Sequence, residues 1–490
     1  MNQPTDAPDA PRAALADARA LVGPAAWPAE LGGLVGRDWG ARPAGDRDRW
    51  VVRGGPGSGK TSLIVDVVRA ALAGGVGMDG VLVLTGSARA AAELAEEATR
   101  GLAPGMVVAT DAAVRTVHSL AYAVVRLAAA RSDAPPPRLR TGAEHDAVIR
   151  ETLLGEVADG APHWPEQLRP ALSTVGFARE LRDLLLRSLE RGMGPRELAR
   201  LGREAGRPAW VSAAGFFRRH EEQMALRSGA RGGESDVPEA LNAAELIGAA
   251  LDALTADPEL RDLFRARRLV AVDDAQHLDP LAAEFVATVA GGAEVLLVVE
   301  DGDQSVFRFR GADGGLARAV VEQGGTQVDL PRGFRMAPAI DAVVARIGSR
   351  LPGAARHRPR EGGHPAGGDD GDGRGGAVGV VVEGSAAAEA AVVADFLRRR
   401  HVLDGIDYGE MAVVTRSLPR VADAVLSALD AAGVPVVDAG AELPPARDPV
   451  AAALLLLVRT CLAGREGTRA DQVLTLLSGP VGRADAVVAV

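Results

Sequence analysis

The chain contains one lysine, Lys60, and it closes the run Gly54-Gly55-Pro56-Gly57-Ser58-Gly59-Lys60-Thr61. Every other member of its 55 Lys and Arg residues is an arginine. A position that keeps lysine in so arginine-rich a chain needs a compact ammonium on a flexible stem. Such a group fits between phosphates where a planar guanidinium fork is too broad. The glycines let backbone N–H groups converge on an anion, and Thr61, followed by Ser62, offers a hydroxyl to Mg²⁺. Trp50-Val51-Val52 reads as a strand end. Ser62 to Leu72 reads as an apolar-periodic helix whose N-terminus faces the phosphates. Strand, glycine loop and helix in this order constrain the chain to a P-loop α/β sheet that binds a nucleoside triphosphate.

The rest of the chain divides around that sheet. Residues 1–25 read as a loose tail. Short β-rich runs alternate with helices from 26 to 140, a pattern that predicts a parallel sheet. Residues 141–260 read as helical. Within them Phe177, Leu181, Leu184, Leu185 and Leu189 share one face and predict core packing. Strands return at Leu269–Val272, Val295–Val299 and Val328–Leu330, so 261–325 completes the first domain and the helices are an insertion. Residues 326–490 read as a partial second α/β domain, with a Gly/Asp-rich loop over 362–379. Its expected strands are Val380–Glu383, Met411–Thr415 and Val434–Val437, alternating with helices at Ala386–His401 and Pro419–Ala432.

A second motif stands at Leu269-Val270-Ala271-Val272-Asp273-Asp274, an apolar strand ending in two carboxylates. Beside a P-loop, Asp273 is placed to hold Mg²⁺ together with Thr61, and Asp274 to orient or deprotonate an attacking water. A nucleoside triphosphate and Mg²⁺ are thus the expected ligands, ATP being the nucleotide that the resemblance described below implies.

Composition restricts the remaining possibilities. A net charge of −10 is the wrong sign for coating nucleic acid uniformly, though a narrow basic track can run on an acidic body. The single cysteine, Cys461, excludes an internal disulfide and reads as a small core residue on an apolar helix. The longest wholly apolar stretch, Val450–Val458, is too short to span a bilayer, and Met1–Arg12 lacks a signal-peptide pattern. A soluble, cytoplasmic protein without a membrane partner is the expectation.

Taken together, these segments resemble superfamily 1A DNA helicases of the UvrD/Rep/PcrA type, whose second motif reads Asp-Glu-x-Gln-Asp. Val81–Leu94 is similar to the family's first DNA-contacting motif, and Arg115–Ala121 to its Thr-x-His-Ser segment. Val299–Ala312 (VEDGDQSVFRFRGA) resembles Gly-Asp-x-x-Gln-Ser-Ile-Tyr-x-x-Arg-Gly-Ala, and Pro331–Met336 (PRGFRM) resembles Asn-Tyr-Arg-Ser. The resemblance implies two RecA-like domains and 3′-to-5′ movement on single-stranded DNA or DNA ends in repair. It makes Lys60, Asp273, Asp274, Gln304 and Arg335 the catalytic set. Gln276 and Phe334 become nucleotide contacts, and Thr85, Arg89, His118, Ser119, Phe309 and Arg310 become DNA contacts. Phe309 offers a face for base stacking, with a core aromatic as the alternative reading; a satisfied core histidine is the alternative for His118. Gly176–Leu186 and His401–Arg416 resemble, more narrowly, the AdnA/AdnB subunits of a helicase–nuclease, which implies a second subunit as partner.

The chain departs from the family pattern at four places. Asp274 is one methylene shorter than the family's Glu, so its carboxylate stops roughly 1.5 Å short. An error near 1 Å can cost about 100-fold in rate. Thr85-Gly86-Ser87 lacks the aromatic residue of the first DNA motif. No glutamine lies between residues 20 and 50 to read the adenine edge. Beyond residue 440 only Thr468-Arg469-Ala470 echoes the family's closing motifs. The expectation is therefore an N-terminal portion of a longer motor. The competing reading is a subunit that binds ATP and DNA with little or no hydrolysis.

Overall fold

The computed structural model describes residues 27–40, 47–100, 113–140, 142–229, 240–351, 377–436, 449–467 and 470–478. They group into two compact units that divide between Val378 and Gly379.

The first unit is built on a six-stranded sheet whose paired strands all run parallel, in the order β3-β2-β6-β7-β1-β8. The strands are β1 (Asp48–Gly54), β2 (Val81–Thr85), β3 (Val114–Thr116), β6 (Leu269–Val272), β7 (Val295–Glu300) and β8 (Thr326–Leu330). The short strands β4 (Arg138–Leu139) and β5 (Ala240–Leu241) pair separately. Strand sequences such as VLVLT and LVAV are buried along their whole length, as a parallel sheet covered on both faces requires. Side-chain alternation divides them between two cores. Val52, Val81, Val83, Leu269, Ala271, Val295, Leu297 and Val299 face one side. Val51, Leu82, Leu84, Val270, Val272, Leu296 and Val298 face the other.

Helices cover both faces. Helices α1 (Lys60–Ala73) and α2 (Ala88–Thr99) pack on the first core. The second core receives α3 (Val117–Arg131). Helices α4 (Gly142–Ala158), α5 (Val175–Leu189), α6 (Pro195–Glu204) and α7 (Pro208–Gly229) form the insertion. It has a core of its own around Ile149, Leu153, Trp164, Leu181, Leu185 and Phe216, with Phe177, Leu184 and Leu189 packed against it. The expected helical face of α5 is thus the buried one.

Two boundaries shift relative to the sequence reading. Helices α8 (Ala243–Ala256) and α9 (Pro258–Arg265) lie within 141–260, yet Leu246, Ile247, Ala250, Leu254 and Leu260 belong to the core on the sheet. They join α10 (Pro280–Ala290) and α11 (Gly315–Glu322) there. The division expected at 326 also moves, because β8 pairs with β1 and α12 (Pro338–Gly348) follows it in the same unit. Apolar packing on the sheet decided the first shift, and hydrogen bonding to a strand distant in sequence the second.

The second unit contains α13 (Ala386–Asp404), α14 (Leu418–Ala431), α15 (Pro449–Gly467) and α16 (Ala470–Ser478). Ala394, Leu397, Leu429 and Val434 make a small core between the first two. The strands expected at Val380–Glu383 and Met411–Thr415, and at 434–436, do not form among the described residues. Val380 and Val414 are 88% and 92% exposed, and an extended segment without a neighbouring strand is not a ladder. Cys461, expected in a core, is exposed. Residues 1–25, most of the 362–379 loop, and Thr468 and Arg469 lie outside the described residues. No helix of the described residues is long and apolar enough to cross a membrane.

Candidate nucleotide and nucleic-acid site

The site lies where β1 and β6 end, at the carboxyl edge of the sheet, where open parallel sheets bind ligands. The 54–60 loop leaves β1 and enters α1 with Gly59 as its N-cap. Gly57 (φ 70°) and Gly59 (φ 92°) are left-handed, a conformation that favours glycine. Gly57 is required twice over. A Cβ there would come within 2.7 Å of Arg335 Cβ, and the Gly57 carbonyl accepts from the Phe334 N–H at 2.8 Å. The loop therefore packs directly on the Arg332–Arg335 segment, which brings exposed Arg335 and half-buried Phe334 to the site.

The Lys60 ammonium donates to the Gly54 and Gly55 carbonyls at 2.8 and 2.9 Å and lies 3.9 Å from the Asp301 carboxylate. Burial holds the ammonium below its usual lysine range, with Arg335 pressing the same way and Asp301, Asp274 and Asp273 opposing. Thr61 Oγ1 donates to Asp273 Oδ2 at 2.9 Å, and the Asp274 N–H donates to Asp273 Oδ1 at 3.0 Å. Burial and then the neighbouring Asp274 push the Asp273 carboxyl up to about 6. Such a carboxylate gains from a cation.

These residues fit a triphosphate with Mg²⁺ on two observations. Ser58 Oγ is buried without a hydrogen-bond partner inside the loop. The hydroxyl–carboxylate pair of Thr61 and Asp273 supplies only hard oxygen donors, the donor set Mg²⁺ takes.

Asp274 adopts a left-handed backbone (φ 53°), uncommon outside glycine and tolerated best by Asn and Asp. Its carboxylate accepts from Gln276 Nε2 at 3.1 Å. Gln276, only 2% exposed, accepts from the Asp301 N–H at 3.0 Å through Oε1, and its carbonyl accepts from Ser305 Oγ at 3.3 Å. The resemblance implies a nucleotide contact for Gln276. The structure places it beneath the carboxylates, where it ties Asp274 to the segment that follows β7. Asp301 is a functional candidate that the sequence reading missed. It ends an apolar strand as Asp273 does, and that signal was available.

That segment carries the nucleic-acid candidates. Gln304 is exposed at its start. Phe307 and Phe309 stand 6.4 Å apart, centroid to centroid, and the Arg310 guanidinium lies 5.4 and 5.5 Å from the two rings. His277 meets Phe307 edge-on at 4.7 Å. Phe309 is 73% exposed, which removes the core-aromatic reading. His118 and Ser119 are exposed at the start of α3, where Thr116 caps the helix by accepting from the Ser119 N–H. Arg89 is exposed and pairs with Glu93. Thr85 is buried and donates to the Ser87 carbonyl at 3.0 Å, so its hydroxyl serves the turn between β2 and α2 and is not displayed to a strand.

No curated protein gives a significant match to the chain. The family model of the UvrD/REP helicase N-terminal domain matches residues 42–320, more than half of the 490 residues. That span holds the glycine loop, both carboxylates, the helical insertion and the paired phenylalanines, and the chain belongs to the UvrD/REP helicase family.

Proposed function

We propose that this chain is the ATP-binding part of a DNA translocase that moves 3′ to 5′ on a single strand during repair, as a portion or subunit of a larger motor of the AdnA kind. The observation that carries the reading is the closure of Thr61 on Asp273, with Lys60, Asp274 and Arg335 around them. Lys60, Thr61, Ser62 and the loop N–H groups would hold the triphosphate, and Thr61 with Asp273 would hold Mg²⁺. Bound Mg²⁺ supplies charge neutralisation at the phosphates. Asp274 would take the proton of the water that attacks the terminal phosphorus as ADP departs, Arg335 would offset negative charge that develops on the phosphoryl oxygens, and Gln304 would touch the terminal phosphate. Phe309 stacks an unpaired base while Arg310, Arg89, His118 and Ser119 hold the strand. The hydrogen bonds from Asp274 through Gln276 to Asp301 support a mechanical link between the two sites.

The second reading, a binding subunit with weak hydrolysis, is favoured by the short Asp274, whose carboxylate is engaged by Gln276. ATP turnover with and without oligothymidine separates the two, with Lys60→Ala as the control for contaminating activity. Turnover that rises severalfold with DNA and vanishes in the control is the result expected of the motor. Tight nucleotide and DNA binding without stimulation would instead establish the binding subunit.

A further inference from the structure

The turn that presents Phe307 and Phe309 has little burial to hold it. Val306 is 63% and Phe309 73% exposed, and the turn closes on itself through the Arg310 N–H to the Phe307 carbonyl and the Gly311 N–H to the Arg308 carbonyl. Its orientation depends on contacts from outside the turn; beside His277 against Phe307 and Ser305 on the Gln276 carbonyl, the end of α5 provides one to its far side. The Arg187 guanidinium donates both to the Arg310 carbonyl and to the Glu190 carboxylate. Gly311 (φ 93°) lies directly against this pair. A Cβ there would stand 2.6 Å from Glu190 Oε2 and 3.2 Å from Arg187 Nη1. The anchor is itself tied to a helix that packs on the sheet, because the Glu190 carbonyl accepts from the Leu281 N–H at 3.0 Å in the first turn of α10. On the other side of the turn, the Asp313 N–H donates to the Leu278 carbonyl at 3.2 Å.

We propose that Arg187 and Glu190 are positioning residues for the Phe307–Phe309 turn, so that the helical insertion sets how firmly this chain grips an unpaired strand. The inference rests on the proposed function for its DNA consequence, but not for the anchor. A charge-assisted hydrogen bond to a backbone carbonyl fixes the turn without occupying the ring faces, which stay open for bases. Glycine at 311 is what allows the turn to approach this closely.

The test uses the full chain and two readouts. Amide hydrogen exchange over residues 305–312, measured without DNA, should quicken about tenfold in Arg187→Ala, while exchange in β1 and α1 stays as in the wild type. Affinity for oligothymidine should fall about tenfold in the same variant, with nucleotide affinity held within twofold. Glu190→Gln keeps an acceptor for Arg187 and should stay within about threefold of wild type in both. Gly311→Ala pushes the same contact apart from the opposite side and should reproduce the Arg187→Ala behaviour; it carries the test if Arg187→Ala does not fold. Unchanged exchange over 305–312 in Arg187→Ala, or in Gly311→Ala where that variant carries the test, would overturn the anchor. Loosened exchange with undiminished DNA affinity would overturn its role in grip. A wild-type chain that fails to bind oligothymidine would refute the proposed function and the inferred effect on grip together, while the exchange result still decides the anchor.

Discussion

Thr61 and Asp273 are 212 positions apart in sequence, yet the threonine hydroxyl donates to the carboxylate at 2.9 Å. The contact exists because β1 and β6 flank β7 in one parallel sheet, which sets the loops after β1 and β6 side by side. The Asp273 carboxylate is buried there next to Asp274. Its folded value of about 6 lies above its ordinary 3.8, so stability is lost as the pH rises from about 3.8 to 6, and at pH 7 the ionised carboxylate opposes folding in full. Asp273→Asn should therefore stabilise the ligand-free protein at pH 7 by about 1–2 kcal/mol. The same change should abolish the rise in melting temperature on adding Mg²⁺ and ATP. Thermal unfolding with and without the ligands checks both directions, and a less stable ligand-free variant would contradict the argument.

Gln276 donates to the Asp274 carboxylate and accepts from the Asp301 N–H. Gln276→Glu keeps an acceptor for that N–H, loses the donor, and places a carboxylate beside a carboxylate. Turnover should fall about tenfold or more, the equivalent of at least ~1.4 kcal/mol at the transition state, while nucleotide affinity holds. A nucleotide contact would behave oppositely, with the dissociation constant carrying the loss. Steady-state kinetics beside equilibrium binding of a fluorescent ATP analogue distinguishes the two.

Phe309 is 73% exposed and contributes little to any core. Phe309→Ala should leave the melting temperature nearly unchanged, with a stability effect within about 0.5 kcal/mol. Loss of a stacking face should weaken single-strand binding by about 1–3 kcal/mol. Fluorescence anisotropy with labelled oligothymidine measures the second effect. Full retention of affinity would remove Phe309 from the strand path.

His145 is 4% exposed inside the insertion and stacks near His220 at 6.0 Å. Burial pushes it down to about 4, with Arg140, His220 and Arg182 acting in the same direction. Its folded value lies below the unfolded 6.5, so between about 4 and 6.5 the unfolded chain binds the extra proton. Stability should fall as the pH drops through that window and level off below it, by up to about 3 kcal/mol. His145→Leu should flatten this slope in urea unfolding followed at several pH values. An unchanged slope would assign the acid sensitivity elsewhere.

The sequence by itself determined the local chemistry. Glycines at 57 and 59, one lysine at 60 and an apolar run ending in two aspartates specify a phosphate loop and a carboxylate pair, because φ preference, charge and strand periodicity act over a few residues. The same locality made most strands of the first sheet and the buried face of α5 legible, though not the short edge strand β3. Tertiary structure decided what those pieces touch. Gln276 lies beneath the carboxylates, Thr85 is spent on a turn, β8 joins the first sheet, and Arg187 reaches the Arg310 carbonyl across 123 positions. Each of these depends on which strands pair and which helix end meets which loop, a choice made by burying the two faces of the sheet together. The exposed valines at 380 and 414 show the limit from the other side: an apolar run has strand character, but it becomes a strand only where another strand accepts its hydrogen bonds.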